Sequence, residues 1–403
     1  MKKTTINTFI MSGGERYCLV LDKGSGIPLY YPALYITTQI RNKSDSISTV
    51  ELVAGAISLF CNFLSERDIN IEERIISGKY LSINEIDALR DYSEKKTRLK
   101  KILPYTVRKR NVVNRATKHF RLTNIANYLS WLSQILKQQQ GSINEFVDKI
   151  RERRPKLRRR SRQDQPEKSL DGNQINHLLE VIKCGAAFNP FGENLQIRNR
   201  LIILVLYSLG IRSGELLNIR ISDINFSDSS LAIRRRADDK NDPRVKQPLV
   251  KTMERKLPLS SALAKELHNY ITSVRRKFKN ARKHEYLFVT HKSGPTQGMP
   301  LSSMAYHKVI DSIRNVMPEL CNLTGHKLRH TWNYEFSKKL DEMPERVSEA
   351  EQEKMRSNLM GWTPGSGTAQ IYNKRFIQDK SHKVAIKLQE DINKKGRLNE
   401  FST

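Results

Sequence analysis

The chain has 403 residues, a length that predicts two or three domains, each able to bury its own core. Apolar residues make up 38% and charged residues 28%, which excludes a largely disordered protein. The net charge of +29, from 71 Lys and Arg against 42 Asp and Glu, indicates a polyanionic partner and favours nucleic acid over a membrane surface.

Residues 1–45 are predicted to form an N-terminal extension with short strands. Residues 9–40 are rich in β-branched and aromatic side chains with Gly and Ser between them, a pattern typical of one or two strands. The first residues are basic but lack the apolar stretch of a secretory signal. No run of 18 apolar residues is present either, so we expect a cytoplasmic protein without a membrane partner.

Residues 46–150 are predicted to form a compact helical domain. Apolar side chains recur at helical spacing over residues 52–66, 83–92 and 119–137. Such spacing buries one face of each helix against its neighbours.

Residues 151–168 are predicted to be a basic linker between domains. Eight Arg or Lys lie between positions 151 and 162, with two prolines nearby and almost no apolar side chain. The run is either a solvated spacer that its own charges extend, or a segment that neutralises DNA phosphates. We favour DNA contact, through Arg153, Arg154, Lys156, Arg158, Arg159 and Arg160.

Residues 169–385 are predicted to form a second domain, mainly α-helical with a small antiparallel β-sheet inserted. The strands are expected in ISDINFSDSSLAIRRR and LVKTMERKLPL, on either side of an enlarged loop at 237–248. Helices are predicted at 173–182, 197–210, 261–280, 302–317, 325–340, 346–360 and about 367–390.

Cysteines and histidines show no metal-binding pattern. The four cysteines form no CxxC pair, and the nine histidines form no HExxH motif. We therefore predict free, buried thiols, no metal site and no cofactor.

Three blocks in the second domain carry side chains suited to phosphodiester chemistry. Arg212 lies in GIRSGELLNI, His326 and Arg329 lie in TGHKLRHTW, and Trp362 and Tyr372 lie in LMGWTPGSGTAQIYNK. His326 and Arg329 are three residues apart on a predicted helix and share one face. Taken singly, each has an ordinary structural explanation, such as an ion pair at a helix start or a half-buried tyrosine. In combination they supply two cations, an imidazole, an indole donor and a phenol nucleophile.

The order of these blocks resembles the signature of the tyrosine recombinase (phage integrase) family, over residues 170 to about 385. The resemblance implies a site-specific DNA recombinase in which Tyr372 attacks a phosphate and forms a 3′-phosphotyrosyl bond. Arg212 and Arg329 would clamp the phosphate and His326 would handle the proton. Trp362 stands where the family more often has His. It can donate a hydrogen bond but cannot transfer a proton.

The family also uses a β-hairpin lysine as general acid for the leaving 5′-oxygen. Lys251 matches that position best, because it lies a few residues before the Pro that ends the second strand. Lys240, Lys246 and Lys256 remain alternatives as the acid or as phosphate contacts.

Two further residues are predicted to support the site. His330 directly follows Arg329 and is expected to be a buried support for the active-site helix rather than a catalyst. Glu215 lies three residues after Arg212 and is expected to hold its guanidinium in place. The stretch between Arg329 and Trp362 is longer than is usual in the family.

The resemblance extends, more weakly, to residues 46–150 as a core-binding domain and to the linker. It implies double-stranded DNA with a specific site, a tetramer on DNA, accessory proteins in some systems, and a prokaryotic, nucleoid-associated enzyme without metal or ATP. The tail at 386–403 is a candidate for subunit docking. A type IB topoisomerase, or a catalytically silent DNA-binding protein of the same fold, are the alternatives.

Overall fold

The computed structural model describes residues 3–43, 46–96, 112–136, 140–157, 169–344, 347–363, 365, 381–392 and 394. Its internal contacts divide the chain into two compact units. Unit 1 comprises Met1–Asp164 together with Ala237–Gln247, and unit 2 comprises Gln165–Arg236 together with Pro248–Thr403. A short segment in the middle of the second domain's sequence therefore belongs to unit 1.

Unit 1 begins with a β-hairpin. Strands β1 (Thr4–Ile10) and β2 (Arg16–Asp22) pair antiparallel. The sequence prediction of strands over 9–40 is wrong for its second half, where Tyr30–Tyr35 forms helix α1 and Ile36–Ile40 continues as a helical turn. Packing overrides β propensity here, because helical spacing buries side chains from this segment in the core of unit 1.

The remaining helices of unit 1 form one apolar core with the hairpin. Helix α2 (Ile47–Ser65) is long and apolar enough to cross a membrane, with a mean hydropathy of 1.7, but 67% of that stretch is buried inside the structure, as in a core helix. Within the described residues of unit 1, these remaining helices are α2 (Ile47–Ser65), α3 (Ile71–Ile76), α4 (Ile83–Tyr92), α5 (Arg115–Ile135) and α6 (Gln140–Glu152).

Buried charges fix the segment Ala237–Gln247 within unit 1. The guanidinium of Arg16, 1% exposed, donates to the carbonyl oxygen of Asp239 at 2.7 Å and to that of Asp242 at 2.5 Å. The Asp242 carboxylate pairs in turn with Arg244 at 2.7 Å, and both side chains are buried. Where the sequence predicts only an enlarged loop, the structure has a segment tied down by polar contacts.

Unit 2 is mostly helical around a second apolar core. Its helices are α7 (Gly172–Val181), α8 (Glu193–Leu209), α9 (Ser213–Asn218), α10 (Ser261–Asn269), α11 (Ser303–Arg314), α12 (Gly325–Asp341) and α13 (Glu349–Met360). The inserted sheet is antiparallel in the order β3 (Ile224–Asn225), β4 (Ser230–Ile233) and β5 (Arg255–Pro258). The predicted fold class, mainly α with a small antiparallel sheet, is confirmed.

One predicted helix is shorter than expected. The pattern over 261–280 predicts a continuous helix, but α10 ends at Asn269 and is followed by irregular helical turns up to Lys283. In this region the buried guanidinium of Arg275 donates to the carbonyl oxygens of Tyr286 at 2.9 Å and Ala281 at 2.8 Å. These contacts hold the chain in a compact turn.

The cysteines are free, as predicted, but not all are buried. Cys18 is buried, whereas Cys184 and Cys321 are exposed.

The last described helix, α14, spans residues 381–392. Its apolar side chains Val384 and Leu388 are 60% and 61% exposed. Residues 366–380, within the helix predicted at about 367–390, lie outside the described residues.

Candidate active site

Arg212 lies at the N-terminal end of α9, directly after the turn that ends α8. Gly210 closes α8 in the left-handed conformation, with φ of 59°. The backbone N–H of Arg212 donates to a carboxylate oxygen of Glu215 at 3.0 Å, and its Nη1 lies 3.6 Å from the other oxygen. Nη1 is buried and makes no hydrogen bond within the described part of the chain. The turn therefore holds a guanidinium that is one-third exposed, with its buried Nη1 beside the Glu215 carboxylate.

Arg329 reaches the same turn from α12. It is 0% exposed, and its Nη1 donates to the carbonyl oxygen of Gly210 at 2.7 Å. Its Nη2 donates to the carbonyl oxygen of Met360 at 3.1 Å, and the guanidinium lies 5.3 Å from the centre of the Trp362 ring. Two blocks more than 100 residues apart in sequence thus meet through one arginine, which the sequence analysis placed in the site.

Trp362 lies just after the C-terminal end of α13. Gly361 ends that helix in the left-handed conformation, with φ of 65°. The backbone N–H of Trp362 donates to the carbonyl oxygen of Ser357 at 3.0 Å. The indole is 5% exposed and packs against Met360 and Trp332. The structure places Trp362 beside Arg329.

Glu215 is the buried anion of the site. Its carboxylate, 1% exposed, accepts from Arg255 Nη2 at 2.9 Å and from the Thr252 hydroxyl at 2.6 Å. Burial alone would raise the pKa of Glu215, but Arg255 and the nearby Arg329 together hold that pKa below its usual range. Glu215 is therefore a carboxylate that neutralises part of a cationic cluster.

Lys251 directly precedes Thr252, whose hydroxyl donates a hydrogen bond to the Glu215 carboxylate. This hydrogen bond fixes the backbone next to Lys251. Lys251 itself is exposed. The alternative Lys256 forms an ion pair with Asp228 on the sheet. The remaining alternatives, Lys240 and Lys246, belong to the part of unit 1 formed by residues 237–247.

His326 occupies the first turn of α12. Thr324 caps this helix with its side-chain oxygen, and Gly325 leaves room for Tyr306, whose hydroxyl would lie 2.0 Å from a Cβ at that position. The rings of His326 and His330 meet edge to face, with their centres 4.5 Å apart. His326 is exposed and His330 half-buried.

The predicted DNA-contacting cations are only partly described. In unit 1, Arg153 pairs with Asp87 at 3.2 Å, and Arg154 donates to the Thr123 hydroxyl at 3.3 Å. Lys156 is exposed. Arg158, Arg159, Arg160 and the predicted nucleophile Tyr372 lie outside the described residues.

Sequence reasoning missed Thr252 and Arg255. Both contact Glu215 across about 40 residues of chain, and Arg255 also donates through Nε to the carbonyl oxygen of Leu359 at 2.6 Å. Arg255 stands in a strand whose pattern indicates only which face is buried. The one available signal was a cation at an otherwise inward-facing position.

The described groups suit an oxyanion rather than a metal. Two guanidiniums, an indole and an imidazole lie on the turns around Gly210 and Gly361 and at the start of α12. Donors of this kind, fixed in place by buried contacts, stabilise charge that develops on a phosphate. Among the described residues no group of three or more His, Cys, Asp or Glu side chains is placed to hold a metal ion.

Comparison with known proteins finds one family model, several relatives and several solved structures that are similar to this chain. Residues 168–376 match the model of the phage integrase family. Transposase A of transposon Tn554 from Staphylococcus aureus is 23% identical over 331 residues, which cover 78% of this chain and 81% of the relative. A tyrosine recombinase from Pseudothermotoga lettingae is 30% identical over 234 residues, which cover 58% of this chain and 62% of the relative. A solved Tn1549 transposon integrase, in complex with circular intermediate DNA, is 13% identical with a TM-score of 0.49 and coverage of 84% and 93%.

Proposed function

The chain belongs to the phage integrase family and is a tyrosine recombinase, an enzyme that breaks and rejoins DNA strands, and we propose that it does so through a covalent bond to Tyr372. The observation that carries the proposal is the hydrogen bond from Arg329 to the carbonyl oxygen of Gly210, because it gathers the two signature arginines at one turn. Two fixed guanidiniums can hold both non-bridging oxygens of one phosphate.

In the proposed cleavage step, the Tyr372 hydroxyl oxygen attacks the scissile phosphorus. A phosphotyrosyl bond forms on the DNA 3′ side and the bond to the 5′-oxygen breaks. Arg212 and Arg329 stabilise the charge that builds on the phosphate oxygens, and Trp362 adds an N–H donor. His326 accepts the phenol proton, since the indole of Trp362 cannot.

The leaving 5′-oxygen takes its proton from Lys251. Residues 251–253, called the lysine segment below, are connected to Glu215 by the hydrogen bond from Thr252, whereas Lys256 forms an ion pair with Asp228. Rejoining runs the same steps backwards, with a 5′-hydroxyl attacking the phosphotyrosyl ester. Because that ester conserves the energy of the broken bond, neither step needs ATP.

The enzyme acts on DNA inside the cell. We extend this to double-stranded DNA with a specific recombination site, in a bacterial cytoplasm. Recombination joins strands from two duplexes, so four copies of the chain would assemble on DNA, with accessory proteins where the site demands them. The similarity to a Tn554 transposase favours the movement of a mobile element. The tail at 386–403 is a candidate contact between those copies.

Neither the family match nor the relatives described above favours a type IB topoisomerase or a silent DNA-binding protein. The proposal is tested in two steps. The full-length protein is first incubated in EDTA with sheared DNA from its source organism, and covalently bound fragments are recovered and sequenced to map the site. A duplex of that site, nicked close to the cleavage position so that rejoining fails, is then the substrate.

The expected result is a protein–DNA adduct that survives a denaturing gel, at one position. Tyr372→Phe is expected to bind the same duplex without forming the adduct. Tyr30→Phe, a change at an exposed tyrosine of unit 1, is the matched control and should react normally. An adduct formed equally by Tyr372→Phe would refute the assignment of the nucleophile, and no adduct with any fragment would refute the cleavage mechanism.

A further inference from the structure

We propose that Arg255 is a positioning residue of the active site, which fixes the segment carrying Lys251 so that its ammonium group meets the leaving 5′-oxygen. This inference rests on the function proposed above and names a residue that the signature does not contain. The buried Arg255 guanidinium makes three contacts that support this role, and a glycine packs against it.

The Arg255 side chain is 3% exposed and connects three pieces of unit 2. Nη2 donates to Glu215 at 2.9 Å, which ties it to the helix that begins after Arg212. Nη1 donates to the Thr252 hydroxyl at 3.0 Å, within the lysine segment itself. Nε donates to the carbonyl oxygen of Leu359 at 2.6 Å, near the end of α13. A buried cation with this many directed contacts fixes its neighbours in one geometry.

The lysine segment is held on its other side by the turn at Gly361. The N–H of Met253 donates to the carbonyl oxygen of Gly361 at 3.0 Å. A Cβ at Gly361 would lie 2.7 Å from Arg255 Nη1 and 2.8 Å from the Met253 carbonyl oxygen. Thr252 and Met253, the two residues directly after Lys251, are thus both anchored.

Lys251 itself is exposed, so its own side chain does not hold the segment in place. A general acid works only when its proton lies within hydrogen-bond reach of the leaving atom. The precision has to come from the backbone that carries the lysine, and Arg255 connects that backbone to Glu215 and α13. Loss of Arg255 should therefore impair protonation of the leaving group more than the phosphate clamp.

A change of leaving group separates these effects. In a duplex of the mapped site with sulfur replacing the bridging 5′-oxygen, the leaving group is a thiolate. A thiol has a pKa of about 8.5 against about 15.7 for water, which an alcohol resembles, so the sulfur departs without a proton. Cleavage rates of oxygen and sulfur substrates are measured with full-length wild type, Arg255→Met, Lys251→Ala and Arg212→Ala.

With the oxygen substrate, Arg255→Met and Lys251→Ala are expected to slow cleavage by about 10²-fold or more, the scale of general acid catalysis. With the sulfur substrate, both should return to within about threefold of wild type. Arg212→Ala should stay slow with both substrates, because clamping is still needed. Lys265→Ala, at an exposed lysine of α10, is the control and should match wild type with either substrate.

Equal slowing of Arg255→Met with oxygen and sulfur would overturn the proposal, as would a normal rate with oxygen. If Arg255→Met fails to fold, Thr252→Val decides in the same way, since it removes only the hydroxyl between that guanidinium and Glu215. The proposed function fails separately, when wild type forms no adduct or Tyr372→Phe still forms one. If wild type forms the adduct but the sulfur substrate does not restore cleavage by Arg255→Met, only the positioning role of Arg255 is rejected.

Discussion

Arg329 donates a 2.7 Å hydrogen bond to the carbonyl oxygen of Gly210, and this contact joins the two arginine blocks of the site. The acceptor exists in that place because Gly210 adopts φ of 59° at the end of α8. A residue without chemistry of its own thus fixes where the catalytic cations meet.

Gly210→Ala is expected to lower stability and cleavage together. The left-handed conformation costs an alanine about 1–2 kcal/mol, and its Cβ would lie 2.8 Å from Trp332 Cγ. We expect a loss of about 2–4 kcal/mol in unfolding free energy, measured by denaturant titration. The matched control is Gly185→Ala, which has φ of 77° but no atom within 4 Å of the new Cβ. Equal losses in both variants would show that the contact with Trp332 is unimportant.

Arg212→Ala and Arg329→Ala are expected to differ in stability although both slow cleavage. Each removes a phosphate donor and should reduce the cleavage rate by about 10²-fold or more. Arg212 is one-third exposed, so its loss should leave the melting temperature nearly unchanged. Arg329→Ala strands the buried carbonyl oxygens of Gly210 and Met360 and should cost about 3 kcal/mol or more.

Thermal melting beside the cleavage assay checks this pair of variants. DNA affinity, measured at fixed salt, should change little for Arg212→Ala, because most binding energy comes from many phosphate contacts. Normal cleavage by Arg212→Ala would remove that residue from the clamp.

Trp362→Phe is expected to show what the indole N–H contributes, because the variant loses that donor but keeps an aromatic ring in the same place. The phenyl ring keeps an aromatic face near the Arg329 guanidinium, which lies 5.3 Å from the present ring centre, but has no N–H. We expect cleavage to slow by about 10-fold, the scale of one hydrogen bond to a charged group, with a small loss of stability. Trp362→Ala should unfold more easily by about 3 kcal/mol, as judged by denaturant titration. If Trp362→Phe cleaves at the wild-type rate, the indole N–H has no part in the reaction.

Stability is expected to fall as the pH drops below neutrality, through His291. Burial, helped by the nearby Arg198, lowers the pKa of His291 to about 4, below the usual 6.5. Between pH 4 and pH 6.5 this histidine is protonated in the unfolded chain but neutral in the folded chain, so lowering the pH favours unfolding. The contribution should reach about 1 kcal/mol by pH 5.5.

His291→Phe should reduce this pH dependence, because the ring stacked on Phe278 at 4.4 Å is kept while the titrating group is lost. Unfolding free energies from pH 7.5 to 5.5 provide the measurement. His382→Gln, at an exposed position of α14, should retain the wild-type slope. A slope unchanged in His291→Phe would assign the effect to other groups.

Most of the helices and the candidate site residues could be predicted from local patterns in the sequence. Helical spacing predicted α4, found at Ile83–Tyr92, and the helix over 346–360, found as α13 at Glu349–Met360. The signature predicts Arg212, Arg329 and Trp362 as site residues, and in the structure left-handed glycines, Gly210 and Gly361, come shortly before two of them. Each of these features depends on residues a few positions apart, so one chain is enough to infer them.

The missed features depend on distant pairs. Arg255 contacts Glu215, and Arg16 contacts Asp242 from more than 200 residues away. No periodicity marks such a partner, because a buried arginine in a strand or hairpin resembles an exposed one in sequence. The helix over Tyr30–Tyr35 was missed for a related reason, since its β-branched and aromatic neighbours become helical only through the core that they join.

The segment Ala237–Gln247 has a consequence for how this protein can be divided or recombined with others. A fragment that starts at Gln165 would carry the segment without Arg16, and one that ends at Asp164 would leave the Arg16 guanidinium without its carbonyl acceptors. Neither piece is a self-sufficient module. Exchange of unit 1 between relatives, by a single crossover in the gene, would therefore damage both products unless residues 237–247 were exchanged together with the β1–β2 hairpin.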